Sequence, residues 1–193
     1  MIGADTCAPV SRRALLVGAA VWLASRPAAA DADAWQALAA GAVVLFRHAT
    51  APGVGDPPNM RIDDCATQRN LDAVGRDQAR AIGREFAARE VQVGRVLTSR
   101  WCRAVDTAEL AFPGRLIREP AFDSFFDRRE DRARQTAAAL RVLAEWRGPN
   151  ALVVVTHQVN IAALTGISPA SAEGVVAVVV AGEVRPVGRI RIE

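Results

Sequence analysis

Ala42-Val43-Val44-Leu45-Phe46 runs into Arg47-His48-Ala49-Thr50, and Ala151-Leu152-Val153-Val154-Val155 runs into Thr156-His157-Gln158; these two stretches decide the fold. Each begins as the unbroken apolar run that a parallel strand covered on both faces requires. Each ends at a histidine, and the 193-residue chain has only these two. Ligands of open α/β sheets gather outside the carboxyl ends of strands. Two imidazoles at two strand ends, one beside an arginine, therefore point to chemistry on an anion.

Outward from these strands, helical and extended patterns alternate. An alanine-rich lead-in helix is expected over residues 31–41, around Trp35 and Leu38. Residues 50–70 form a long loop rich in Pro, Gly and Asp, a length that in compact domains goes with function or mobility. Leu71, Val74, Ala79, Ile82 and Phe86 recur at helical spacing, which predicts a helix from Asp72 to Arg89. Arg95–Thr98 reads as a second strand, followed by a helix through Ala111 that Pro113-Gly114 stops. Leu116-Ile117 reads as a third strand, and residues 119–131 as irregular. Arg132–Trp146 is a helix ended by Gly148-Pro149, the strand Ala151–Val155 leads to a helix over Val159–Leu164, and Val175–Val180 with Val184–Ile192 form a terminal hairpin. Such alternation predicts a three-layer α/β/α sandwich with a mostly parallel central sheet, without internal repeats or a second domain.

Composition narrows the chemistry. With 51% apolar residues the chain can bury a sizeable core. Every basic side chain is arginine, so no lysine is available for a Schiff base or a P-loop, and a phosphate must be held by guanidinium, imidazole or backbone N–H groups. Ser11-Arg12-Arg13, a short apolar stretch through Ala24, and Pro27-Ala28-Ala29-Ala30 succeed one another as in an export signal of twin-arginine type. Cleavage is expected near Ala30, leaving residues 31–193 as the mature domain in the periplasm or outside the cell; an uncleaved membrane anchor is the other reading. The apolar stretch is short for a bilayer span, so no stable span is expected after cleavage. Three of the 24 arginines and one of the 21 acids precede Asp31, leaving 21 against 20. That near balance does not support nucleic-acid binding. Outside the leader, Cys65 and Cys102 are an even pair suited to an oxidising compartment. They form either a disulfide, stabilising by roughly 3–4 kcal/mol in the chain-entropy model, or two buried thiols.

Arg47, His48, Arg103 and His157 converge if the strand ends lie side by side. Arg103 stands in Thr98-Ser99-Arg100-Trp101-Cys102-Arg103-Ala104-Val105-Asp106-Thr107-Ala108, the turn after the second strand and the helix it opens. A neutral imidazole is a competent nucleophile, so His48 is suited to attack phosphorus. Arg47 and Arg103 supply permanently charged forks for phosphate oxygens, and a protonated His157 would add a donor to the developing charge. This chemistry needs no metal, and two histidines make no convincing zinc site. Ser99 and Thr107 are explained as well by turn and helix-capping roles. Arg69 and Arg100 are placed to touch substrate or, the preferred reading in so arginine-rich a chain, are solvated.

These motifs resemble the histidine phosphatase superfamily, also called the phosphoglycerate-mutase-like fold, from about Gly41 to Ile167. Arg47-His48-Ala49 matches its Arg-His-Gly after the first strand. Ser99, Arg103, Thr107 and Ala108 match its Ser-x3-Arg-x3-Thr-Ala, and His157 its second histidine. Asn70-Leu71-Asp72-Ala73-Val74-Gly75-Arg76-Asp77-Gln78-Ala79 is similar to its Leu-Thr-x2-Gly-x2-Gln-Ala helix start. The resemblance implies a phosphohistidine on His48, with Arg47, His48, Arg103 and His157 binding phosphate and no cofactor. Two departures stand out. Ala49 replaces a glycine and is expected to crowd the backbone's approach to phosphate. No carboxyl occupies either position where members keep a general acid: Gln158 follows the second histidine, and Ala121-Phe122-Asp123-Ser124-Phe125-Phe126 lacks the mutase glutamate. Asp123 is the candidate acid, with Asp56, Asp63 and Asp64 as outsiders. The expected protein is an exported phosphatase acting on phosphomonoesters: a phosphorylated small molecule, an envelope phosphosugar or a phosphoprotein. A non-catalytic phosphate-binding module on the same fold is the alternative.

Overall fold

A strand of consecutive apolar residues has no face to give to water, and the protein covers both faces of this one. The computed structural model describes Met1 and residues 27–192; apart from Met1 and the start of the first helix, the export signal read over residues 1–30 lies outside them. Strand β1 (Val43–Arg47) is followed by helix α2 (Ala73–Ala88), β2 (Val93–Thr98), α3 (Cys102–Ala111), β3 (Leu116–Arg118), α4 (Arg132–Ala144), β4 (Ala151–Thr156), α5 (Gln158–Thr165) and the hairpin β5 (Gly174–Val180) and β6 (Glu183–Ile190); α1 (Pro27–Ala39) precedes them all. The six strands form one sheet in the order β3-β2-β4-β1-β5-β6. The first four in that order are mutually parallel, and the hairpin is added antiparallel to β1.

Alternate residues of the central strands face opposite layers. Val44, Phe46, Val96, Val153 and Val155 pack with Leu38, Ile82, Phe86 and Ala108 of α1, α2 and α3. Val43, Leu45, Leu97, Leu152 and Val154 pack with Ala139, Leu143, Ile161 and Leu164 of α4 and α5. The sandwich is thus three layers deep, as the pattern predicts. No helix among the described residues is long and apolar enough to cross a membrane.

Where the elements differ from expectation, close contacts account for it. β2 begins at Val93, two residues early, because Gly94 is a bulge under Trp146 and not a strand breaker; a Cβ there would lie 2.8 Å from the indole. The loop after β1 is tied down at its far end. The Asp72 carboxylate accepts from the Gly75 amide at 2.7 Å and caps α2. Gln78 Oε1 accepts from the amide and hydroxyl of Thr50, both at 2.9 Å. Gly75 lies so near the Thr50 carbonyl that a Cβ would fall 2.1 Å from its oxygen. The Asn70–Ala79 motif therefore docks the start of α2 against the chain just past His48.

Candidate active site

Parallel register brings three strand ends into line: Arg47 of β1 lies beside Thr156 of β4, and Val155 beside Thr98 of β2. The residues that follow, His48, His157 and Ser99, are all buried. Arg47, His48, Arg103 and His157 line one pocket of about 160 Å³, together with Asp56, Arg69, Ser124, Phe126 and the first residues of α5. That volume is ample for a phosphoryl group.

The hydrogen bonds of His48 admit one tautomer. Its Nδ1 lies 2.8 Å from the Ala49 carbonyl, which only accepts, so Nδ1 carries the proton. Its Nε2 receives the Nε–H of Arg103 at 3.2 Å, and a guanidinium only donates, so Nε2 carries the lone pair. Burial above all, then the charge of Arg103, pushes the His48 pKa down to about 3; the Ala49 hydrogen bond opposes this and is outweighed. His48 is thus a neutral imidazole whose Nε2 lone pair accepts a hydrogen bond from an arginine. The turn that carries it is braced by Thr107, whose hydroxyl accepts from the Ala49 amide at 3.0 Å and donates to the Arg103 carbonyl at 2.7 Å.

His157 stands across the pocket, its ring centroid 5.4 Å from that of His48. Burial, followed by the charge of Arg103, lowers its pKa well below the ordinary value. Its Nε2 is 2.8 Å from Ser99 Oγ. Behind Ser99 lies Asp123, the expected general acid. Asp123 Oδ1 accepts from the Arg100 amide at 2.9 Å, and Oδ2 accepts from Arg100 Nε and Nη2 at 2.8 and 2.5 Å. The carboxylate does not line the pocket. It reaches Ser99 Oγ only at 3.5 Å, so it buttresses the serine that holds His157. Asp63 and Asp64 are also absent from the pocket lining.

Three guanidinium groups and one carboxylate complete the site. Arg47 donates from Nη1 to the Pro169 carbonyl at 3.2 Å, while its Nε is buried with no acceptor. Arg69, read as solvated, instead lines the pocket and donates to the Ala51 and Gly55 carbonyls of the long loop. Arg100, read the same way, is the clasp on Asp123. Arg103 is buried and forms a two-pronged ion pair with Asp56, Nη1 to Oδ1 at 2.7 Å and Nη2 to Oδ2 at 3.0 Å. Burial alone would raise the Asp56 carboxyl; hydrogen bonds and charge from Arg103, with the Trp101 indole N–H at 2.9 Å, outweigh it and hold the pKa below its ordinary value. A buried arginine N–H without an acceptor, two neutral imidazoles and a surplus of guanidinium charge suit a bound oxyanion.

Ala49 does not crowd this pocket. It is absent from the pocket lining, and its methyl is fully buried in the core beneath α1, α2 and α3. Asp56 and Arg69 are the residues that motif reasoning undervalued. The signal available for them was the loop's length and its positive-φ glycines, Gly53 and Gly55, which flag a shaped loop without saying which side chain turns inward.

No protein-family model and no curated protein sequence matches the chain. Solved structures do match it in shape. The protein histidine phosphatase SixA complexed with tungstate is 19% identical, with a TM-score of 0.56 over 77% of this chain and 96% of that one. The alpha-ribazole phosphatase from Shigella flexneri is 14% identical, with a TM-score of 0.57 over 79% and 96%. YhfR from Bacillus stearothermophilus is 16% identical, with a TM-score of 0.54 over 75% and 94%. The chain has the phosphoglycerate-mutase-like fold that these proteins share.

Proposed function

We propose that this protein is a phosphatase that hydrolyses phosphomonoesters through a phosphohistidine on His48. The observation that carries the reading is the state of His48: Nδ1–H is held by the Ala49 carbonyl, and the unprotonated Nε2 lines the pocket, accepting the Nε–H of Arg103. In the first step Arg103 passes its Nε–H from His48 Nε2 to a phosphoryl oxygen, the released lone pair forms the N–P bond while the ester P–O bond breaks, and the Ala49 carbonyl stabilises the charge gained by the ring. Arg47, Arg69 and Arg103 surround the equatorial oxygens, where phosphoryl transfer needs stabilisation most. A bound dianion favours protonation of His157, which then adds a further donor. Water next attacks phosphorus, the N–P bond breaks, and inorganic phosphate leaves with the histidine restored. The tungstate held by one structural neighbour, a tetrahedral oxyanion like phosphate, supports an oxyanion in this kind of pocket.

The leaving group lies outside the small pocket, toward a neighbouring groove that includes Pro57, Pro58, Met60 and Trp101. Among the described residues Asp56 is the one carboxylate on the pocket wall, and its ion pair with Arg103 holds it ionised. With the pocket's carboxylate held ionised, the enzyme favours substrates whose leaving groups depart without a proton from it. A phosphorylated small molecule, an envelope phosphosugar or a phosphoprotein presents a phosphate that such an open site reaches. The Cys65–Cys102 disulfide, which the fold closes, supports export through the leader over residues 1–30 to an oxidising compartment.

Phosphate release from p-nitrophenyl phosphate, with EDTA present, tests the reading on wild type and His48→Ala. Turnover that survives EDTA and disappears in the variant is expected. Folded wild-type protein that binds tungstate without turnover would favour the binding-module alternative.

A further inference from the structure

An arginine has two hydrogen-bonding edges, an end edge of Nη1 and Nη2 and a side edge of Nε and one Nη. Arg103 uses them for different partners. Its end edge is filled by Asp56, and its Nε points at the attacking nitrogen of His48. Among the described residues the Asp56 carboxylate accepts from Arg103, the Trp101 indole and the Arg69 amide, and makes no hydrogen bond to His48, His157 or Arg47. The loop that brings it there is anchored at successive residues. The Trp101 indole holds Asp56 itself, Cys102 bonds to Cys65 and to Gln68 through its amide at 2.9 Å, and Arg103 closes the ion pair. Side-chain exposures of 3% for Arg103 and 5% for Asp56 place that pair out of solvent, where it is neither screened nor free to swing.

We propose that Asp56 is a positioning residue, holding Arg103 by its end edge so that its side edge stays aimed at His48 Nε2 and the oxygens transferred there. The inference rests on the phosphatase reading for its effect on rate, but not for its geometry. A misaimed guanidinium loses far more in the transition state than in ground-state binding, which Arg47 and Arg69 also support.

The test has two arms. The Arg103 Nε–H cross-peak in a 15N-correlation NMR spectrum, identified by its loss in Arg103→Lys, is expected to stand apart in wild type. In Asp56→Asn it should move toward the crowd of exposed arginines. In the same variant kcat for p-nitrophenyl phosphate should fall at least about tenfold, with KM and the tungstate Kd changed less than about threefold and Asp56→Glu recovering part of the rate. Asp56→Ala replaces the Asn variant if the latter does not fold. An Arg103 cross-peak unmoved by the substitution overturns the proposal, as does unchanged kcat. Tighter tungstate binding with undiminished kcat also overturns it, by making Asp56 an internal competitor for the anion. The NMR arm needs no turnover, so an inactive wild type would sink the phosphatase reading while the cross-peak still decides the role of Asp56.

Discussion

The pocket has two walls of different origin. One is made by the strand ends, where Arg47-His48, Ser99 and Thr156-His157 are delivered in register by parallel pairing. The other is the loop of residues 50–70, which has no ladder and is held by a disulfide, a buried ion pair and side-chain bonds to backbone carbonyls. The first wall carries the reacting groups and inherits its precision from the core. The second aims and encloses them, and its order comes from a handful of discrete ties. Damage to a strand-end group should therefore abolish chemistry, whereas damage to a loop tie should misalign a site that still exists.

Arg103 links the two walls, and its loss should have the largest effect. Arg103→Ala is expected to lower kcat/KM roughly 10²–10³-fold, the size seen when a donor to transition-state charge is removed. A loss below tenfold would mean that Arg47 and Arg69 suffice alone. Breaking the loop wall should show first in stability. Cys65→Ser with Cys102→Ser should cost roughly 3–4 kcal/mol, since the bridge spans 37 residues. Chemical denaturation reads this directly, and a change under 1 kcal/mol would show that the remaining ties order the loop unaided.

How far each wall was legible in the sequence follows from how each is built. His48 and His157 were readable because an unbroken apolar run announces a buried strand, and the next residue must then emerge at its carboxyl end. The spacing Ser99, Arg103, Thr107 was readable through its resemblance to a family motif, and Arg103 and Thr107, four apart in α3, share a helix face. The loop offers no such period. Asp56 and Arg69 turn inward because of glycine torsions, a disulfide and each other, and none of these leaves a repeat in sequence. The partner of Asp123 was hidden for a related reason: nothing in the sequence marks Arg100 as the residue that engages both of its oxygens.

That distinction sharpens in the smaller predictions. Asp123→Asn should lower kcat by less than about tenfold through Ser99 and His157, and by the same factor for p-nitrophenyl and alkyl phosphates. A much larger loss on alkyl substrates would restore Asp123 as the proton donor. The imidazoles also make a pH prediction. Both are kept neutral when folded, His48 with a pKa lowered to about 3 and His157 lowered as well, while unfolded histidines protonate near 6.5. The stability they leave intact above pH 6.5 is lost as pH falls toward 3, because the unfolded chain binds protons that the folded site refuses. The slope should be at most about 1.4 kcal/mol per pH unit for each histidine. Urea midpoints for wild type and His157→Asn across this window measure it, and parallel curves would contradict the assignment for His157.

The central claim is that His48 Nε2 becomes phosphorylated. Rapid acid-free quenching of wild-type protein with a 32P-labelled aryl phosphate, followed by peptide mapping, tests it most directly. The account predicts a base-stable, acid-labile phosphoryl group on His48, absent from His48→Ala and formed fast enough to precede phosphate release. Steady turnover with no protein-bound phosphate, or label on another residue, would contradict it.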